Sequence, residues 1–213
     1  MQTKNLGRVL ASLSLAAALL GCSPAADNPY AKIQDPPLVS ASLHTVTATS
    51  PDAALVEALQ KNGYTLTPLA SNYPASVPVE ALLWKVPEQV AARPALLMAP
   101  AGKGPNVRVL ITPASDGTPP VEADLEKAFF RNVLGSDVPR WPGSTTLPPG
   151  ARVQVWTYFV PDVIVAKRRL RAAGIPVTFD PVAITTAYLG DHRTMGILAP
   201  DGAIIELVQN AAQ

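Results

Sequence analysis

Ile197-Leu198-Ala199-Pro200-Asp201-Gly202, close to the end of the chain, repeats in kind Leu97-Met98-Ala99-Pro100-Ala101-Gly102 near its middle. Each hexapeptide runs into an apolar strand pattern, Ala203-Ile204-Ile205-Glu206-Leu207-Val208 in one case and Val107-Arg108-Val109-Leu110-Ile111 in the other. Working backwards, two more landmarks recur in the same order. Ser50-Pro51-Asp52 follows a strand-like stretch (His44 to Thr49) and precedes a helical pattern ending at Gly63. Val160-Pro161-Asp162 follows Arg152 to Phe159 and precedes one ending at Gly174. Three landmarks in one order point to internal duplication, which has to be recognised before any other feature of the fold.

Each half therefore reads as strand, helix, then three strands. In the first helix Ser50 suits the cap and Pro51 the first helical position, where a missing N–H costs nothing. Leu55, Ala58 and Leu59 share one face. In the second, Val163, Ala166, Leu170 and Ala173 form the apolar stripe, with Lys167, Arg168, Arg169 and Arg171 around the rest as a solvated basic face. The remaining strands are expected at Tyr64 to Leu69 with Val79 to Val86, and at Ile175 to Phe179 with Ala183 to Leu189. His192 and Arg193 fall in a turn ahead of the closing pattern. Residues 113–150 join the halves through one helical pattern, Val121 to Leu134, and a Pro-rich loop around Trp141. A connection of that length is either a packed cover or a lid.

The N-terminus carries an address. Lys4 and Arg8 precede an apolar run from Val9 to Leu20 that ends in Gly21-Cys22, the layout of an export signal. About 12 apolar residues are too few to span a bilayer, which takes about 20. Residues 1–21 read as a cleaved signal and 22–42 as a Pro-, Ala- and Ser-rich tether. Residues 43–112 form the first module, 113–150 the connection and 151–213 the second module. Loss of Lys4 and Arg8 leaves 15 basic and 16 acidic residues, a near-neutral balance that argues against a nucleic-acid partner. Cys22 is the only cysteine, so no internal disulfide forms. Motifs for a nucleophile, a phosphate loop or Cys/His zinc spacing do not occur in the mature chain.

Leu19-Leu20-Gly21-Cys22 resembles the bacterial lipobox. That resemblance implies acylation at Cys22 and, with Ser23 rather than aspartate next, a protein anchored in the outer membrane and facing the periplasm. The closing stretch from Leu189-Gly190-Asp191-His192 through Asp201-Gly202 to Glu206-Leu207 resembles the vicinal oxygen chelate superfamily, which includes glyoxalase I, extradiol dioxygenases and bleomycin resistance proteins. The resemblance implies an α+β fold, two tandem βαβββ modules whose curved mixed sheet makes a cup around a small-molecule site.

In metal-dependent members of that superfamily the first and last strands of each module supply the ligands. Carried over, these positions are His44, Gln154 and Glu206, with Leu110 in the fourth place, where it offers no donor. Such a set would hold a divalent ion (Ni, Mn, Zn or Fe) weakly, and no cofactor is fixed by the residues. Trp84, Trp156 and Tyr158 are the candidate apolar lining of the pocket, with core packing as the alternative for each. Leu110 favours a small-molecule binder over a metal-dependent lyase or dioxygenase. A non-catalytic envelope scaffold is the third alternative.

Overall fold

The computed structural model describes residues 28–38, 40–67, 77–112, 121–142, 146–186 and 188–210. The apolar run ending at Cys22 lies outside them. The first module comprises β1 (Ser42–Ser50), α1 (Ala54–Lys61), β2 (Thr65–Thr67), α2 (Val77–Trp84), α3 (Glu88–Ala91), β3 (Ala95–Met98) and β4 (Asn106–Ile111). After α4 (Ala123–Leu134) come β5 (Arg152–Phe159), α5 (Val163–Ala172), β6 (Val177–Thr186), β7 (Gly190–Leu198) and β8 (Ile204–Asn210).

All eight strands form one sheet in the order β2-β3-β4-β1-β5-β8-β7-β6. Within each module the first strand pairs parallel with the last, β1 with β4 and β5 with β8. The two first strands pair antiparallel and join the modules. Exchanging the modules leaves this order unchanged, so the sheet carries an approximate twofold axis between β1 and β5. The fold is α+β, two βαβββ units in one curved mixed sheet.

The centre of that axis is the pair Val46 and Trp156, flanked by Thr45 with Thr157 and Thr47 with Val155. Beyond these the ladder slips once in each direction. Leu43 pairs with Tyr158 and Ala48 with Val153, which leaves His44 as the extra residue on β1 and Gln154 as the extra residue on β5. Both are β-bulges, and both stand eight residues ahead of the aspartate of their Pro-Asp pair. The duplication therefore extends to single irregularities of the backbone.

Helix starts follow the aspartates. Asp162 caps α5 by accepting from the backbone N–H groups of Ile164 and Val165 at 2.7 and 3.0 Å, and Asp52 accepts from that of Ala54 at 2.9 Å. Ser50, expected as the cap of α1, instead ends β1. Gly63 and Gly174 follow α1 and α5 with φ of 87° and 76°, left-handed positions that a side chain would strain.

Two expected strands take other forms. Val79 to Val86 belongs mostly to α2. Its Pro78 sits in the first turn where no bond is lost, Ala81, Leu82 and Leu83 favour helix, and a helix apolar on most sides has to be buried. The third strand of that module is β3, which ends on the first two residues of the repeated hexapeptide, Leu97 and Met98. In the second module Ile175 to Phe179 and Ala183 to Leu189 largely merge into β6, whose pairing with β7 shifts on both sides of Phe179 rather than turning. β6 is an edge strand, so Pro181 removes no ladder bond from an interior neighbour.

Alternation along the strands separates two faces. Val46, Trp156, Tyr158, Met195, Ile197, Ile205 and Leu207 pack with Phe129 and Phe130 of α4 and with Val163 and Leu170 of α5. Within the connection, α4 thus packs as a cover over this face, and Gly135 closes it at φ 65°. Ala48, Val107 and Val109 pack on the same side with Leu55 and Leu59 of α1. The opposite, concave face carries Leu110, Val155 and Ile204, met by Ala81, Leu83 and Trp84 of α2. Among the described residues no helix is long and apolar enough to cross a membrane.

Candidate ligand site on the concave face

Position in the duplicated ladder decides which residues correspond. Arg108 on β4 pairs with Thr47 on β1, and Glu206 on β8 pairs with Thr157 on β5. Thr47 and Thr157 follow the central pair residues Val46 and Trp156 by one step each. Arg108 is therefore the counterpart of Glu206. Leu110, the counterpart expected from aligning the closing strands, lies one inward position further along β4. That expectation set Val107 against Ala203 as the starts of the two closing strands, which displaces the comparison by two residues.

Both counterparts are buried, Arg108 with 0% of its surface exposed and Glu206 with 2%. Glu206 is satisfied by hydroxyls of its own module. Thr157 donates to Oε2 at 2.8 Å and Thr194 to Oε1 at 3.1 Å. Arg108 is held differently. Its guanidinium carbon lies 4.2 Å from the ring centroid of Trp84 on α2 and 3.9 Å from that of Tyr188, on the turn between β6 and β7. The aromatic faces supply cation–π attraction. None of the nitrogens Nε, Nη1 and Nη2 is in hydrogen-bonding geometry with an acceptor, although Arg108 lies close enough to the Tyr188 hydroxyl to draw its pKa down.

Three more polar atoms on or beside this face have no partner among the described residues: Thr47 Oγ1, Thr49 Oγ1 and Trp84 Nε1. Tyr188 senses the surrounding charges. Burial raises the pKa of its phenol far above the usual value, Arg108 opposes that rise, and Glu206 and Glu80 add to it. The phenol stays a neutral hydroxyl at any physiological pH.

The bulge at His44 sets its ring beside Thr45, with Nδ1 and Oγ1 sharing a hydrogen bond of 2.7 Å, and at 4.3 Å from the ring of Phe159. Burial and then the charge of Arg108 hold this imidazole below the usual histidine pKa. At the equivalent bulge, Gln154 donates through Nε2 to the backbone carbonyl of Trp84 at 2.7 Å, which fixes the end of α2 over the sheet. The same bulge leaves Val155 in the concave cluster.

Several solved structures of other proteins resemble this chain. The methylmalonyl-CoA epimerase from Mycobacterium tuberculosis superimposes with a TM-score of 0.44 at 19% identity, over 79% of this chain and 87% of that one. A Streptomyces coelicolor methylmalonyl-CoA epimerase variant in complex with 2-nitronate-propionyl-CoA gives 0.44 at 18% identity, over 80% and 95%. A hypothetical protein from Bacillus halodurans gives 0.46 at 13%, over 82% and 97%. No protein-family model and no curated protein matches the chain.

The residues singled out from sequence separate into three groups. His44, Gln154, Glu206 and Trp84 belong to the concave side or its rim. Trp156 and Tyr158 belong to the opposite face, Trp156 with its ring 6.5 Å from Phe130 and Tyr158 with its hydroxyl pushed up to about 12 by burial. They pack the core rather than line the concavity. Cys22 lies outside the described residues. His192, expected in an exposed turn, is buried within β7 and shares the face of Thr194. Its Nδ1 meets the carbonyl of Gly190 at 2.9 Å, and Nε2 has no partner.

A divalent ion does not fit this set. Both oxygens of Glu206 accept from threonines, His44 Nδ1 is engaged with Thr45 Oγ1, and the fourth corner is a guanidinium, which repels a cation. Among the described residues no cluster of three or more His, Cys, Asp and Glu side chains is placed to hold a metal.

Arg108 and Tyr188 were the residues missed in sequence. An arginine between Val107 and Val109 was the available signal, since a charge on an inward strand position is costly unless it has a task.

Proposed function

We propose that this protein is an envelope lipoprotein, anchored through Cys22 in the outer membrane and facing the periplasm, whose concave face binds a small molecule without a metal ion. One observation carries the binding claim. Arg108 occupies the position that corresponds to Glu206, so the face presents a buried cation where a metal site would need a donor. Around it stand polar groups that a core built for packing alone would replace with apolar ones. The anchor rests on the Leu19-Leu20-Gly21-Cys22 sequence and on acyl chains being able to hold a protein firmly to a bilayer.

The test uses the chain from Ser23 onward, which keeps every described element. It is titrated with Ni, Mn, Zn and Fe(II), and bound metal and melting temperature are measured. A ligand that binds only the folded state raises its stability by mass action. No ion is expected to give a stabilising shift that Glu206→Ala or His44→Ala removes. Such a shift would replace this proposal with the metal-dependent lyase or dioxygenase alternative. For the anchor, labelled palmitate fed to cells making the full chain should enter the protein and fail to enter Cys22→Ala. Equal labelling of both would remove the lipoprotein claim.

A further inference from the structure

We infer that the concave face recognises a carboxylate, held edge-on by the Arg108 guanidinium between the rings of Trp84 and Tyr188. This rests on the proposal that the face is a small-molecule site and names the chemical class it takes.

A guanidinium donates hydrogen bonds only in its own plane and stacks through its faces. Here the guanidinium carbon lies over the ring of Trp84 at 4.2 Å and over that of Tyr188 at 3.9 Å. Those ring contacts leave the parallel N–H donors of its edge unused, since none of the nitrogens has a hydrogen-bond partner. Two coplanar oxygens about as far apart as those of a carboxylate match that edge.

The protein's own carboxylates do not fill this role. Glu206 is engaged by Thr157 and Thr194, and Glu80 on α2 makes no hydrogen bond to the guanidinium nitrogens. Both nonetheless act on the Tyr188 hydroxyl, which stacks with Arg108, so a ligand at the guanidinium edge feels two nearby negative charges. That favours a monoanion over a phosphate dianion, since repulsion grows with ligand charge. Thr47 Oγ1, Thr49 Oγ1 and Trp84 Nε1 supply further donors on or beside the same face. Arg108 has no exposed surface, so a ligand reaches it when a covering ring swings aside, and Tyr188 is carried on a turn.

The experiment follows the arginine Nε–H signals by NMR in the chain from Ser23 onward, with the Arg108 signal assigned by its absence in Arg108→Met. The probes are acetate, pyruvate and benzoate, with acetamide and benzamide as neutral matches, inorganic phosphate as the dianion, and chloride at equal ionic strength as the control. At least one carboxylate should shift the Arg108 signal saturably while its amide does not. Arg108→Lys, which keeps the charge and loses the fork, should weaken that binding by about tenfold or more. If Arg108→Met does not fold, Arg108→Lys serves for the assignment.

A response to phosphate alone would overturn the carboxylate assignment. So would an absence of response to every carboxylate. If an amide perturbs concave-face signals while the Arg108 signal stays still, the carboxylate claim falls and the small-molecule proposal stands. If a carboxylate binds and perturbs only residues outside this face, both fall.

Discussion

Arg108 and Glu206 are structural counterparts of opposite charge: each stands on the closing strand of its module, directly across from a threonine of the opening strand, and each is fully or almost fully buried. Glu206 is hydrogen-bonded within the fold, and Arg108 is only stacked. A duplicated unit has thus kept its backbone while its two equivalent sites have taken different chemistry.

The threonines should report that difference. Thr157 donates to a buried carboxylate at 2.8 Å, and a hydrogen bond to a charged group contributes about 1.5–3 kcal/mol. Thr157→Val should therefore lose about that much stability in urea unfolding. Thr47 donates to nothing, so Thr47→Val should be neutral or stabilising by up to about 1 kcal/mol, because it removes a buried polar group that lacks a partner. Equal losses at both positions would contradict the asymmetry.

His44 should titrate below the ordinary histidine value of about 6.5, because burial and the Arg108 charge both disfavour its protonated form. As pH falls through about 6.5 the unfolded chain binds the proton first, so this residue's contribution declines until the lower folded pKa has been passed, and above that range it is constant. An NMR titration of the imidazole measures the midpoint. Arg108→Met should raise it part of the way, leaving the effect of burial. A wild-type midpoint at or above 6.5 would contradict this placement.

Gly196 on β7 lies beneath the ring of Phe179, where an added Cβ would overlap three ring atoms. Gly196→Ala should cost about 1–3 kcal/mol, the usual penalty of overpacking, and Gly196→Ala with Phe179→Leu should recover part of it. Denaturant midpoints of the two variants check this. An unchanged midpoint for Gly196→Ala would show that the ring moves freely.

The duplication was legible because it is written in local chemistry: Pro-Asp helix starts, glycine ends, and a repeated turn before the last strand. The connection helix was legible from its periodicity and Gly135. Val79 to Val86 was not, because an apolar run buried on most sides looks alike as strand or helix until its partner surface is known. The concave site was legible in part. His44, Gln154 and Glu206 follow from spacing, whereas the equivalence of Arg108 with Glu206 depends on pairing register, which loop length disguises. The stacking of Tyr188 on Arg108 joins residues from different modules, and no local pattern announces it.

Equilibrium urea unfolding of the wild-type chain and of Arg108→Met tests the central claim most directly. A buried ion costs several kcal/mol to desolvate, and two stacked rings return about 0.5–2 kcal/mol each, so the guanidinium should be a net burden on the ligand-free fold. Arg108→Met is expected to gain about 1–4 kcal/mol with an unchanged denaturant slope, as seen when buried charges give way to apolar side chains. A loss of about 3–5 kcal/mol, the signature of breaking a compensated buried pair, would mean that Arg108 is there to hold the fold together and not to meet a ligand.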